Sequence, residues 1–205
     1  MSFKKLIEPL KEAIHRNNFE APLPFQKQIL PKIKGGASVF AIAPDGSGKT
    51  TTLILSVIQK LKGKAFEDAP RALIFVKDKK AALELKQHFE IYTKGTDLRV
   101  YALYEEHNID SQREEIYVGT DIVIATPKRL NKIFYLNGIH LGQLQLFIVE
   151  DAEFLFTTNT QGEVSRTPES INKCQYVVFS STFDARFKRW QDTFMYNARV
   201  IEFKE

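Results

Sequence analysis

Short apolar runs alternate with amphipathic stretches along most of the chain. The runs are nearly continuously apolar, which is typical of strands covered on both faces of a sheet, and they occupy residues 38–43, 72–76, 99–103, 121–125, 146–149, 176–180 and 199–203. The stretches between them have helical spacing and occupy residues 24–33, 49–62, 79–92, 127–135 and 185–195. This alternation predicts an α/β fold with a mostly parallel sheet of about seven strands and helices on both faces.

The remaining segments are shorter or more polar. Residues 6–14 are amphipathic but lack the continuous apolar core of a signal peptide, which favours a cytoplasmic location. Residues 62–71 and 157–168 are polar and contain glycine or proline, so we expect exposed loops there. The sequence lacks an apolar run of about 18 residues or more, so no membrane-spanning helix is predicted.

The amino-acid composition excludes few classes of function. The 205 residues fit one domain, and the net charge of +4 with a pI near 9.0 is compatible with a polyanionic partner without requiring one. The 4 histidines show no metal-ligand spacing, and the single cysteine, Cys174, cannot form an intramolecular disulfide. A zinc site is therefore not expected.

A glycine-rich segment, APDGSGKT at residues 43–50, follows the first apolar run and precedes a predicted helix. Gly46 and Gly48 would let successive backbone N–H groups point at phosphate oxygens, to which the helix N-terminus adds partial positive charge. Lys49 would reach the β- and γ-phosphates, and Thr50 would place its hydroxyl on Mg²⁺. The segment predicts a nucleotide site, although the general pattern has glycine at the position of Ala43.

Two carboxylates follow a later apolar run, in LFIVEDAEFL. Glu150 and Asp151 would lie at the carboxyl end of that strand, where open α/β sheets bind ligands. One acid would hold Mg²⁺ through water, and the other would orient the attacking water. An acidic first turn of a helix is the alternative interpretation of these residues.

These motifs and their order resemble the first RecA-like domain of the DEAD-box RNA helicases, from about residue 10 to residue 203. NFEAPLPFQ is similar to the Q motif, TPKRL to the RNA-contacting T-P-G-R-L, EDAE to D-E-A-D and SST to S-A-T. In the family the loop motif is A-x-T-G-x-G-K-T, which accounts for Ala43. The ATP-binding set that the resemblance implies is Phe19, Gln26, Ala43, Pro44, Asp45, Gly46, Ser47, Gly48, Lys49, Thr50 and Thr51.

The resemblance also implies roles for residues outside the loop. Phe19 would stack on adenine and Gln26 would read its edge. The implied catalytic residues are Lys49, Glu150 and Asp151, with Thr50 and Glu150 at Mg²⁺, and Ser180 and Thr182 would couple the nucleotide to the RNA face. RNA contacts are implied for Lys79, Thr126, Pro127 and Arg129.

Several residues depart from the family pattern. Asp45 stands where the family has threonine, and Glu150-Asp151 reverses the usual order of the two acids. KDKKAA replaces P-T-R-E-L-A, and Glu105 and Glu106 replace paired glycines, so two carboxylates lie where an RNA backbone would approach. Weak or absent hydrolysis is compatible with these changes, because catalytic geometry is sensitive to displacements of about 1 Å.

The sequence therefore predicts one domain over residues 1–205, with residues 1–37 as a helical Q-motif region. Its expected function is ATP binding, with Mg²⁺, in an ATP-dependent RNA helicase whose RNA cleft is completed by a second RecA-like domain, in cis or from a partner. A degenerate module that serves protein interaction is the alternative. A P-loop kinase or GTPase is a weaker alternative, since PLPFQ lies upstream of the loop as it does in adenine-specific helicases.

Overall fold

A computed structural model describes residues 3–171 and 173–204. Its sheet has seven strands in the order β3-β4-β2-β5-β6-β1-β7, and every pairing is parallel. The strands are β1 (Val39–Ile42), β2 (Ala72–Phe75), β3 (Val100–Leu103), β4 (Ile122–Ala125), β5 (Leu146–Val149), β6 (Gln175–Ser180) and β7 (Arg199–Glu202).

Helices cover both faces of this sheet. They are α1 (Glu8–Arg16), α2 (Pro24–Lys34), α3 (Lys49–Lys60), α4 (Lys79–Thr93), α5 (Ile109–Val118), α6 (Pro127–Tyr135), α7 (Phe154–Thr157), α8 (Gln161–Arg166) and α9 (Lys188–Gln191). Short 3₁₀ helices lie at Phe3–Lys5, Thr167–Ser170 and Ala185–Phe187. Within the described part of the chain, no helix is both long and apolar enough to cross a bilayer.

The strands divide the core into two apolar layers because successive side chains point to opposite faces. In β5, Leu146 and Ile148 pack with α1–α4, whereas Phe147 and Val149 pack with the layer formed by α5–α9. All four β5 side chains are fully buried. This explains why the strands are apolar without alternation.

Strand order determines which motifs meet. β5, β6 and β1 are consecutive in the sheet, so Glu150, Ser180 and Ala43 lie together at their carboxyl ends. The N–H of Ala43 donates to the carbonyl of Ser180 at 3.0 Å, and the N–H of Ala152 donates to that of Phe179 at 2.9 Å. Thr126 follows β4, farther along the same edge.

Two local predictions were wrong, and one longer helix was not predicted. The predicted loop at 157–168 contains α8, where Val164 is fully buried. The predicted helix at 185–195 is reduced to a 3₁₀ turn and α9, although Trp190 packs into the core and its indole N–H donates to Ser165 Oγ at 2.8 Å. Helix α5 was not predicted, because only Gln112 and Ile116 are buried along it.

Candidate functional site

The glycine-rich loop connects β1 to α3 and has a left-handed backbone at both glycines. Gly46 and Gly48 have φ values of 81° and 90°, a region that side chains rarely allow. A Cβ at Gly48 would lie 3.0 Å from side-chain atoms of Gln26 and Leu23. Gly48 is therefore required by its backbone and by the close approach of α2.

The loop has the features of a phosphate site. The hydroxyl of Ser47 is buried and has no hydrogen-bond partner among the described residues. Helix α3 begins immediately after the loop, at Lys49, so its unpaired N-terminal N–H groups lie beside the left-handed turn. Because the loop combines these donors with the Lys49 ammonium, the residues present fit a nucleotide phosphate.

Lys49 is almost completely enclosed, with 7% of its side chain exposed. Its Nζ donates to the carbonyl of Ala43 at 3.0 Å and to Asp45 Oδ1 at 2.9 Å. Asp151 Oδ1 lies 3.7 Å from the same nitrogen. The hydrogen bond and charge of Lys49 lower the pKa of Asp45, so this carboxylate is ionised at neutral pH.

The two acids after β5 have different surroundings. The Thr50 hydroxyl donates to Glu150 Oε1 at 3.0 Å, and burial raises the pKa of Glu150 to about 7. Asp151 keeps 61% of its side chain exposed and has a left-handed φ of 44°. Desolvation raises the pKa of Asp151 despite the opposing charge of Lys49.

Glu153, the last acid of EDAE, joins this motif to the end of β6. Its Oε1 accepts hydrogen bonds from Ser180 Oγ at 2.9 Å, from Ser181 Oγ at 2.5 Å and from the Ser181 N–H. Burial alone would raise the pKa of Glu153, but these donors outweigh it and lower the pKa. A role for Glu153 was not predicted, although its place in the EDAE motif and the hydroxyls of SST were the available signals.

Ser180 makes a second contact that involves Thr182. Its Oγ lies 2.7 Å from the backbone oxygen of Thr182 and 2.9 Å from Glu153 Oε1. A hydroxyl carries a single proton, so Ser180 can donate to one of these acceptors at a time. Ser180 thus connects Thr182, the other residue predicted to couple nucleotide and RNA, to the acidic motif.

The adenine-binding candidates lie on the other side of the loop. Gln26 is 4% exposed, and its Oε1 accepts the Leu23 N–H at 3.0 Å at the start of α2. Its amide nitrogen faces Gly48, whereas Phe19, after α1, is 45% exposed. Among the remaining loop candidates, Pro44 is exposed, and Thr51 lies beside Tyr92, whose pKa is raised by burial.

Three of the RNA-contact candidates follow β4, and two of them, Thr126 and Arg129, contact the segment that follows β3. Thr126 and Arg129 are 3% and 6% exposed, and Pro127 is buried at the first position of α6. The Thr126 hydroxyl donates to Glu105 Oε2 at 2.7 Å. The Arg129 guanidinium donates to the carbonyls of Glu105 and His107, while its Nε is buried without a partner among the described residues.

Lys79 is the most accessible of the RNA-contact candidates. It begins α4, is exposed, and places its Nζ 5.3 Å from the ring centroid of Tyr104. Glu105 and Glu106, which follow Tyr104, are also exposed. The positive charge of Lys79 is therefore accompanied by two carboxylates at the ends of neighbouring elements.

The family model and the similar proteins reported below indicate the same protein family. A family model described as DEAD/DEAH box helicase matches residues 23–190. The ATP-dependent RNA helicase dbp10 of Schizosaccharomyces pombe is 28% identical over 178 residues, which cover 86% of this chain and 21% of that protein. The pre-mRNA-processing ATP-dependent RNA helicase prp-5 of Neurospora crassa is 28% identical over 184 residues, covering 86% and 15%.

Solved structures share the fold. A DEAD box protein from the hyperthermophile Methanococcus jannaschii matches with a TM-score of 0.91 and 21% identity, over 100% of this chain and 56% of that one. The yeast DEAD-box splicing factor Prp28 matches with a TM-score of 0.87 and 18% identity, over 98% and 50%. These matches confirm the predicted RecA-like α/β fold. The chain spans about a fifth of the length of the curated relatives.

Proposed function

Since the chain belongs to the DEAD/DEAH box helicase family, as its motifs predicted, we propose that it binds ATP with Mg²⁺ as the first RecA-like domain of an ATP-dependent RNA helicase. One observation carries this proposal. The Thr50 hydroxyl donates to Glu150 at 3.0 Å while Lys49 lies 3.7 Å from Asp151, so the loop and the acidic motif form a single site. We propose residues 1–205 as one domain, with residues 1–37 as its Q-motif region.

Each residue of the site would have a distinct role. Lys49 and the N–H groups at the start of α3 would bind the phosphates, while Gln26 and Phe19 would recognise adenine. Thr50 and Glu150 would hold Mg²⁺, largely through water, and the bound ion would neutralise phosphate charge and orient the phosphate chain. Asp151 is the candidate base because it is partly exposed, as a group that must meet water has to be.

The proposed coupling depends on the end of β6. Glu153 is held by Ser180 and Ser181, so a shift of the acidic motif would displace the SST segment as well. A second RecA-like domain, in cis or from a partner, would complete the RNA cleft and supply arginine fingers. RNA is the proposed partner because the relatives are named as ATP-dependent RNA helicases. The cytoplasmic location stays a prediction.

The alternative is a nucleotide-binding module with little or no hydrolysis that serves protein interaction. The contact of Glu105 with Thr126 favours it, since a carboxylate occupies the hydroxyl that RNA would need. The reversed acids also favour it, because Glu150 already reaches the Thr50 hydroxyl directly. Helicase activity therefore requires both clusters to rearrange around their ligands.

The test separates binding from hydrolysis. Calorimetry with ATP and Mg²⁺ measures binding to the chain, and phosphate release at saturating ATP, with a second RecA-like domain and single-stranded RNA present, measures turnover. Binding with RNA-stimulated turnover supports the helicase, whereas binding without turnover supports the module. A folded chain that binds no nucleotide would contradict both.

A further inference from the structure

We propose that Asp45 competes with phosphate for Lys49, so that the loop binds ATP less tightly, relative to ADP, than its fold alone allows. This inference rests on the proposed nucleotide site and concerns which ligand that site selects. The residue concerned, Asp45, belongs to the loop itself and stands where the family motif has threonine. Its proposed role is in nucleotide specificity.

The geometry around Lys49 supports a competition. An ammonium group has three protons to donate. The carbonyl of Ala43 and the carboxylates of Asp45 and Asp151 lie 3.0, 2.9 and 3.7 Å from its nitrogen. The Ala43 carbonyl and Asp45 accept two of these protons, whereas Asp151, at 3.7 Å, is too distant to accept the third. One phosphate oxygen can therefore use the third proton, but a second phosphate oxygen can reach Lys49 only by displacing Asp45 or the carbonyl, or by sharing a proton.

Asp45 is the partner that can be displaced. Its side chain is 95% exposed, whereas the carbonyl of Ala43 belongs to a buried residue at the end of β1. Because Asp45 is exposed, water and salt can compete with the Lys49 ammonium for its carboxylate. The Asp45 carboxylate can thus rotate into solvent. Its ion pair with Lys49 therefore weakens nucleotide binding without preventing it.

The bias depends on the charge of the ligand. The Asp45 carboxylate is covalently fixed in the loop, so even when it leaves Lys49 it remains near the bound phosphates. Repulsion between like charges grows with the charge of the ligand. ATP carries one more phosphate group than ADP, so the Asp45 carboxylate repels ATP more strongly. Aspartate at this position therefore favours ADP over ATP.

Calorimetry on the whole chain tests this with MgATP and MgADP as probes. Asp45→Asn keeps the shape of the side chain and removes its charge. We expect ATP affinity to rise at least ~10-fold and ADP affinity to rise less, by about 3-fold, since the repulsion that the variant removes is larger for the more highly charged ligand. Asp45→Glu keeps the charge and should leave the ratio of the two affinities within about 2-fold of that of the original chain.

Asp192→Asn is the matched control. It removes one exposed carboxylate after α9, whose Trp190 packs on the face of the sheet opposite α3. It should not change the ratio, since exposed charges separated by more than a Debye length are screened. An Asp45→Asn variant that binds ATP no more tightly than the original chain, or that gains equally for ADP, overturns the inference. If neither the original chain nor Asp45→Asn binds any nucleotide, the proposed function fails with it.

Discussion

The carboxylate of Glu105 accepts a 2.7 Å hydrogen bond from the hydroxyl of Thr126, which is almost fully buried. The two residues belong to segments that follow adjacent strands, β3 and β4. The backbone carbonyl of Glu105 also accepts from Arg129. Glu105 thus satisfies, with its side chain and its backbone, two residues that by family resemblance would contact RNA.

Removal of this carboxylate should improve RNA binding. Glu105→Ala removes a repulsive charge and releases the Thr126 hydroxyl, so we expect single-stranded RNA to bind at least ~5-fold more tightly at low salt, about 1 kcal/mol. Fluorescence anisotropy with a labelled oligonucleotide measures the change. Glu106→Ala removes the same charge one residue later and controls for net charge. Equal gains in the two variants would mean that the contact with Thr126 is irrelevant.

Lys49 should be required for nucleotide binding and dispensable for folding. Lys49→Ala removes a charge-assisted contact, which contributes roughly 1.5–3 kcal/mol, so nucleotide affinity should fall at least ~10-fold. Thermal unfolding checks that the domain remains folded. Lys204→Ala, at an exposed position, is the control. Unchanged affinity in a folded Lys49→Ala domain would exclude the phosphate-loop interpretation.

Gln26 should determine the choice of base. An amide can pair with the N6 donor and N7 acceptor of adenine, whereas guanine has an acceptor in place of that donor. ATP should therefore bind at least ~10-fold more tightly than GTP, about 1.4 kcal/mol, and Gln26→Ala should reduce this ratio. Gln28→Ala changes an exposed glutamine of the same helix and should leave the preference intact. A preserved ratio in Gln26→Ala would contradict the assignment.

Exchange of the two acids should increase hydrolysis. Glu150→Asp with Asp151→Glu shortens the metal-side acid, which would free the Thr50 hydroxyl, and lengthens the water-side acid. We expect phosphate release at least ~10-fold faster with RNA and a second RecA-like domain present, and unchanged ATP affinity. The exchange should also cost some stability, because aspartate tolerates the left-handed φ of residue 151 better than glutamate. Robust RNA-stimulated turnover before the exchange would show that the original order is functional.

Glu150 should make stability depend on pH. Its pKa rises from 4.5 to about 7 on folding, so above 4.5 the unfolded chain releases a proton that the folded chain retains. Stability from this group is then lost as pH rises, by about 1.4 kcal/mol for each pH unit until the folded pKa is reached. Without Mg²⁺, the unfolding temperature of the original chain should therefore fall, relative to that of Glu150→Gln, as the pH rises from about 5 to about 8. Parallel pH profiles of the two proteins would refute this.

The strands were the most predictable part of the fold. Every apolar run gave a strand within one residue of its bounds. β1, β2, β4, β5 and β6 are buried throughout, which explains their mostly apolar sequences, whereas the edge strand β7 buries only Ile201. Helix α5 was missed because Tyr117 and Val118 are exposed, so its pattern shows no apolar face. Helix α8 was missed because a single apolar residue, Val164, attaches it to the core.

The location of the candidate site could be predicted from the sequence, whereas the contacts between its side chains could not. The order of the motifs placed Lys49, Thr50 and the acids at neighbouring strand ends, and the structure brings them within hydrogen-bonding or ion-pair distance. The pairing of Asp45 with Lys49 and that of Glu105 with Thr126 depend on side-chain rotamers and loop geometry. A one-dimensional pattern carries no such information.

The position of β1 has a consequence for biosynthesis. It precedes the other six described strands along the chain, yet its two neighbours in the sheet, β6 and β7, are the last two described. Contacts between residues far apart in sequence form slowly, since a long loop must close first. The nascent chain therefore carries VFAI and the glycine-rich loop without strand partners until β6 and β7 emerge. During that interval the unpaired edges of this apolar strand favour aggregation.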